Sequence, residues 1–484
     1  MLDVINKRKP AMIAELPTRL PNRILYLPME IASRELDSRL LIAVLAMKRG
    51  FEVVLGQKWL IERNIEAMPA GFYLSKTLTQ RDARVMTKAR KCGYLMAAIE
   101  EELPGIVAAP DELRWVSEEA VATTDLIFVS GSHNTSSMRV RFPKAASHIR
   151  AVLNPRWDML RPQLRDCYSD QAAEIRKKYG PFILINSNLG LTNSEKGTAD
   201  ELIRDQVRLG KLSMDNRSHV EFINQGKTME AANRVALHEL MRRLPERYPQ
   251  YRIVLRPHPS ERLDTWINEL AGNDRVSVVR DGAAAPWILA AEMLLHTNCT
   301  TGVEAIGLDK PAICLVTIDA DINTRYLANR VNPVARSVDE VLDLVAVAAT
   351  KGCDALYSPE MYRMFRESMS FEDDHLGADF ILDRFEELSV GKPHAVVGGS
   401  LCSRWRPGRR YVWDIDDKNV RATLFPELDH AEIEKRIRKL CLALDISLVP
   451  LVQDCGSNVV LIGERRLSLF SRLRRKFTWK RKFS

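Results

Sequence analysis

The sequence predicts an α/β protein: two Rossmann-like, doubly wound domains facing a cleft, then a small C-terminal α/β appendage and a basic tail. Three observations predict it. The chain has 484 residues, room for two or three domains at roughly 100–200 residues each. Hydrophobic residues make up 46% and charged residues 28%, the balance of a chain that buries a core rather than staying disordered. Near-continuous apolar strands alternate with amphipathic helices in two successive series, as a parallel sheet covered on both faces requires.

The first series, expected as a domain over 1–160, opens with the strand ILYLP from Ile24 to Pro28. The helix LLIAVLAMKRG and the strand FEVVLG follow. Leu36, Leu40, Leu41, Val44 and Leu45 recur at helical spacing, Ser33 is placed to cap the start and Gly50 to end the helix. A helix over 78–92, a turn near Asp111, a helix over 117–122 and a strand over 125–130 continue the alternation. The second series, expected over 175–335, runs from FILINSN (Phe182 to Asn188) through a polar stretch holding Asn193, Lys196 and Lys211. It continues with a helix over 229–243, strands over 251–259 and 276–280, and a helix over 286–291. The strand EMLLHT, a helix over 302–308 and the strand PAICLV complete it. The join is expected near 155–175, where LNPRWDMLRP reads as a hinge with Arg156 pairing Asp158. Helices around 338–349 and 359–387 make a closing segment over 336–388. VGKPHAVVGGS reads as a linker. The appendage, 389–464, contains YVWDI, a helix over 430–444 and the strands SLVPLV and NVVLIG.

A net charge of +8 would hint at nucleic acid if it were spread over the fold. Nine of the cations fall in residues 465–484, which hold no Asp or Glu; removing them leaves the other 464 residues at −1. The body therefore carries no footprint for nucleic acid. In the tail, Phe470, Leu473, Phe477, Trp479 and Phe483 interleave with cations, the pattern of a segment lying on an anionic membrane surface. No run approaches the ~18 apolar residues of a membrane span, and no apolar signal core follows Met1. The expected location is cytoplasmic, peripheral on the inner membrane. Eight scattered cysteines without CxxC pairs read as reduced thiols, and no HxxxH pair or calcium loop is present, so neither metal nor cofactor is expected.

The strongest site signal is RPHPSE, Arg256 to Glu261, at a strand's carboxyl end, where open α/β sheets place their ligand crevices. Arg256 and His258 offer donors to phosphate oxygens, Pro257 and Pro259 stiffen the turn, and Ser260 adds a hydroxyl. Forty residues on, HTNCTTGVEA repeats strand end, polar turn and helix. Asn298, Thr300, Thr301 and Gly302 lie at the helix amino end, with Glu304 one turn in, positioned for ribose hydroxyls. Taken singly, each segment reads equally as an ion-paired arginine or a Thr-capped helix; together they read as a nucleotide site. GxxxxGK[ST] and GxGxxG are both absent, which removes the usual support for ATP hydrolysis and dinucleotide redox chemistry. Across the cleft, PMEIASRELD supplies Glu30, followed by Arg34, Glu35 and Asp37, and APDEL supplies Asp111 and Glu112. These carboxylates are the candidates for a base or nucleophile, while Glu35 and Asp37 also fit the helix dipole.

The ordered set PMEIASRELDSRLLIA, GFYLSK, NPRWDMLRP, FILINSN, RPHPSE and PWILAAEMLLHTNCTTGVEAIGLDKPAI resembles bacterial surface-carbohydrate biosynthesis proteins of capsule and lipopolysaccharide type, over about residues 23–330. These look like glycosyltransferases of the GT-B architecture. The HP segment and hydroxyl turn are also similar to CMP-sugar-dependent sialyltransferases and Kdo transferases. The resemblance implies that His258, Thr300 and Thr301 take the CMP phosphate with support from Arg256. It implies a nucleotide-sugar donor and a glycan or glycolipid acceptor. The acidic D/E-D/E-G motif of those sialyltransferases is matched by Asp111-Glu112 only in part, since Leu113 stands where Gly belongs, and Glu30 is the rival base. Non-hydrolysing UDP-GlcNAc 2-epimerases share the fold and a Thr-Gly-x-Glu turn, so an epimerase and a non-catalytic assembly protein are the alternatives.

Overall fold

Strand β1 (Ile24–Met29) is buried along its whole length, because helices cover both faces of the sheet it centres. In this computed structural model, which describes residues 23–208, 212–389, 425, 427–456 and 458–464, two such sheets form. The first contains β1, β2 (Glu52–Gln57), β3 (Phe72–Ser75), β4 (Leu95–Ile99), β5 (Leu126–Val129) and β6 (Ile149–Ala151), all parallel, extended by β13 (Pro450–Gly456) and β14 (Val459–Glu464). Its order is β13-β14-β2-β1-β3-β4-β5-β6. The second contains β7 (Phe182–Asn186), β8 (Arg252–Leu255), β9 (Val276–Val278), β10 (Met293–His296), β11 (Ala312–Leu315) and β12 (Val334–Ala335) in the order β12-β11-β10-β7-β8-β9, all parallel. The fold is thus two doubly wound sheets facing a cleft, the GT-B arrangement.

Helix α1 (Ala32–Lys48) packs Leu40, Leu41, Val44 and Leu45 into the core. Its start is not capped by Ser33. The enclosed Glu35 carboxylate reaches back to the Glu30 and Ile31 N–H groups at 3.0 and 3.3 Å, which satisfies the orphan donors from inside the helix. Gly50 follows the last turn at φ +80°, a conformation only glycine adopts freely.

Residues 427–464 are not a separate appendage. Helix α7 (His430–Ala443; α2 to α6 are given below) lays Ile433, Ile437 and Leu440 on the first domain's core, with Arg436 paired to Asp37 at 2.6 Å. Strand β14 then runs antiparallel along β2, from Val459 opposite Gly56 to Ile462 opposite Val53. Covering β2 removes an open edge, and that is the physical reason this segment folds onto the first sheet. YVWDI, the linker 390–400 and the tail 465–484 lie outside the described residues.

The remaining helices used below are α2 (Arg217–Arg247), α3 (Thr301–Gly307), α4 (Val338–Lys351), α5 (Pro359–Met369) and α6 (Gly377–Ser389). The stretch 359–387 is two helices, parted where Ser370 turns left-handed at φ +57°. Helix α4 packs on the second sheet's core, whereas α6 returns to the first, stacking Phe385 on Phe72 at 5.2 Å and pairing Asp379 and Asp383 with Arg49 at 2.7 and 2.6 Å. The hinge differs from the expected Arg156–Asp158 pair. Asp158 accepts from Gly377 N and Ala378 N at 3.1 and 2.9 Å and from Arg161 at 3.1 Å, so it caps α6, and Arg156 turns to Glu304 instead.

Candidate functional site

The carboxyl ends of β1, β7, β8 and β10 border one cavity between the domains, and its walls include Glu30, Arg34, Arg156, Arg256, His258, Ser260, Thr300, Thr301 and Glu304. β8 ends at Leu255, and the loop after it is tethered by Glu261. That carboxylate is wholly buried. It accepts from Ser187 Oγ (2.8 Å), Leu189 N (3.0 Å), His258 N (3.1 Å) and Trp266 Nε1 (2.9 Å). Four donors to one carboxylate fix the loop, and with it the backbone of His258. Glu261 is a positioning residue to which sequence reasoning gave no role; its spacing of three from His258 was the available signal.

His258 Nδ1 receives the Ser260 backbone N–H at 3.2 Å and lies 2.7 Å from Ser260 Oγ. A backbone N–H can only donate, so Nδ1 carries the lone pair and the proton of the neutral ring sits on Nε2. Burial, followed by the charges of Arg34, Arg156, Arg256 and Arg280, pushes the imidazole pKa down to about 4. His258 thus presents a neutral donor among cations. Arg256 is buried; its Nη2 donates to the Gly282 and Asp281 carbonyls, and its Nε is enclosed with no partner.

On the next strand, β10 leads through Asn298, held at φ +52°, into α3. The Thr300 side chain makes no capping bond and lines the cavity, while Thr301 Oγ1 accepts from Asn186 Nδ2 at 2.9 Å. Asn298 and Gly302 do not line it. The Asn298 side chain contacts Asn329 Nδ2 (2.7 Å) and Met229 Sδ. Gly302 is where α3 passes the buried His296 ring: a Cβ there would sit 2.3 Å from His296 Nε2. These two residues shape the turn rather than meet a ligand.

From the first domain, Glu30 faces the cavity with 45% of its side chain exposed and pairs with Lys76 at 3.1 Å. Lys76 also holds Glu35 at 3.0 Å. Burial alone would raise the Glu35 carboxyl; Lys76, Arg39 and the Glu30 N–H more than offset it and hold the carboxyl below its ordinary range. Asp111 and Glu112 are not at the cavity. Asp111 is exposed, and Glu112 accepts from Ala109 N at 2.8 Å and pairs with Arg325 at 3.0 Å. The segment before them docks on the second domain through Val107 N to Arg325 O at 2.8 Å and Leu327 N to Gly105 O at 3.0 Å. Their loop is used in holding the domains together, which takes both carboxylates out of contention as base.

Arg156 is paired with Glu304, Arg280 with Glu195 and Lys76 with Glu30 and Glu35. Among the described residues no carboxylate comes within 4 Å of Arg34 or Arg256. Arg34 nonetheless lies in the field of Glu102, Glu101, Glu35 and Glu304, which favour its charge in spite of burial; Arg256, whose charge burial disfavours, lines the cavity with the neutral imidazole donor, an arrangement suited to an anion's oxygens. Among the described residues no group of three or more His, Cys, Asp or Glu is placed to hold a metal ion, and no helix is long and apolar enough to cross a membrane.

No protein-family model matches the chain, and no curated protein matches it. Among solved structures, the UDP-GlcNAc 2-epimerase of Methanocaldococcus jannaschii is similar at 12% identity, covering 75% of this chain and 99% of its own, with a TM-score of 0.45. The wall teichoic acid polymerase TagF is similar at 12% identity, over 78% and 90%, with a TM-score of 0.46. Anabaena HepE, solved with UDP and glucose, is similar at 13% identity, over 76% and 99%, with a TM-score of 0.41. Likenesses this loose carry nothing about this chain's substrate.

Proposed function

We propose that the protein is a glycosyltransferase that moves a sugar from a nucleotide donor, a CMP-activated keto-acid sugar such as CMP-Kdo, to a surface-glycan or glycolipid acceptor. The observation that carries this reading is the meeting of Arg256, the Nε2–H tautomer of His258 and the uncapped Thr300 on one cavity wall, opposite the Glu30 carboxylate. In the proposed reaction the bond from the anomeric carbon to the phosphate oxygen breaks, and the nucleotide leaves with the electron pair. Arg256 and His258 stabilise the charge that develops on its phosphate. The acceptor hydroxyl oxygen forms the new bond to the anomeric carbon, and its proton passes to Glu30. Glu304, freed from Arg156, is the candidate contact for ribose hydroxyls.

The tail, 465–484, is proposed to hold the enzyme at an anionic membrane surface where lipid-linked acceptors lie. The test of the site is His258→Ala. Calorimetry should show CMP binding lost while circular dichroism is unchanged; CMP binding equal to wild type removes the site from the account. Turnover of a free nucleotide sugar with no acceptor present would favour an epimerase instead.

A further inference from the structure

The loop that follows β7 folds against the loop that carries His258. Ser194 and Glu261 form an antiparallel bridge, Glu195 N donates to Ser260 O at 2.9 Å and Arg262 N to Asn193 O at 2.8 Å. Gly190 permits the approach, since a Cβ there would lie 2.7 Å from Ser260 Oγ. Lys196 is thereby set at the cavity wall: its N–H donates to Ser194 Oγ at 3.1 Å, and the residue stays open to solvent. The other cations of the wall are engaged or enclosed. Arg280 is held by Glu195, Arg156 by Glu304 and Lys76 by Glu30 and Glu35, while Arg34 and Arg256 are enclosed at Nε. Among the described residues no carboxylate lies within 4 Å of Lys196 Nζ, which leaves this ammonium's charge and three donors for a ligand.

We infer that Lys196 is a catalytic residue, the cation that takes up the charge appearing on the nucleotide phosphate as the sugar departs. The inference rests on the nucleotide-sugar site proposed above and deepens it by separating the roles of its cations. In a CMP-activated donor the phosphate is a diester with a single negative charge. Breaking the bond from the anomeric carbon leaves the electron pair on the phosphate oxygen, and the acceptor's proton goes to Glu30. The departing CMP is therefore a monoester, which carries nearly two negative charges above its second pKa of about 6. Arg256 matches the first charge, and neutral His258 adds none. The second falls to the ammonium of Lys196, whose flexible stem lets it follow the departing oxygen. Binding that strengthens as the bond breaks raises turnover, whereas binding equal in donor and transition state does not.

Three probes that differ in phosphate charge test this on the full chain at pH 8: cytidine with none, CMP methyl ester with a single charge, and CMP with nearly two. Calorimetry on wild type should show affinity rising at each step. Lys196→Gln should remove the second step alone, weakening CMP roughly 10- to 100-fold while the methyl ester changes little, and Lys196→Arg should keep most of it. Equal weakening of CMP and its methyl ester overturns the inference, because Lys196 would then hold the donor as firmly as the product; unchanged CMP affinity in Lys196→Gln overturns it as well. Failure of wild type to bind any of the three overturns the underlying nucleotide site, which is a different result from the loss of one step.

Discussion

At the scale of single residues the account turns on His258. Its low pKa comes from burial and four nearby guanidinium groups, so at neutral pH the ring is uncharged. A bound phosphate opposes those cations and raises the pKa. Binding therefore takes up a proton between about pH 4 and the bound-state value, and nucleotide affinity should rise as pH falls through that window. Calorimetry in buffers of different ionisation enthalpy should report the uptake in wild type and none in His258→Gln. The same group affects stability. Its folded pKa lies below the ordinary 6.5, so in acid the unfolded chain binds a proton that the folded chain refuses, and stability falls as pH drops from about 6.5 toward 4. Relative to His258→Gln, wild type should lose about 2 kcal/mol between pH 7 and pH 5 in urea unfolding. Legibility in the sequence was uneven at this scale. RPHPSE displays Arg256, His258 and Ser260 together because six adjacent residues place them on one loop. Asp111 and Glu112 misled because nothing local reveals that their loop is docked on Arg325, and Glu261 was overlooked because its partners, Ser187 and Leu189, are some seventy residues away.

At the scale of elements, two glycines set how closely segments approach. A Cβ on Gly377 would lie 1.8 Å from Leu153 O, and the amide of the same residue is one of the two that Asp158 caps. Gly377→Ala should lower stability by roughly 1–3 kcal/mol, measured by denaturant midpoint, and should loosen α6 from the first sheet in hydrogen exchange; unchanged values would mean that this contact yields at no cost. Gly302→Ala forces α3 away from His296 and should weaken nucleotide binding as well as stability, because Thr300 and Thr301 move with the helix. Apolar periodicity made β1, α1 and β7 legible. SLVPLV and NVVLIG were legible as strands, but the pairing of β14 with β2, some 400 residues earlier in the chain, with β13 added outside it, is a tertiary fact that local pattern does not encode. Deleting 427–464 should bare the β2 edge and the face of α1, and size-exclusion chromatography should show aggregation.

Over the whole molecule the charge is divided. The body is near neutral and the cations gather in 465–484, so the tail and the cleft are separate agents. A variant lacking 465–484 should bind nucleotide like wild type but no longer sediment with anionic liposomes; equal pelleting of the two forms would remove the anchoring role. The two-sheet architecture was legible because each βα alternation repeats a local rule twice. Each cleft candidate was legible within its own motif, whereas the Arg156–Glu304 pair was not, since it forms only through the packing of the two domains.

The central claim is that this cleft holds a nucleotide through Arg256 and His258. Its most direct test is thermal unfolding of the full chain against a panel of cytidine and uridine mono- and diphosphates. A cytidine nucleotide at about a hundred times its Kd should raise Tm by several degrees, and this shift should vanish in His258→Ala. A wild-type Tm that no nucleotide moves would contradict the account.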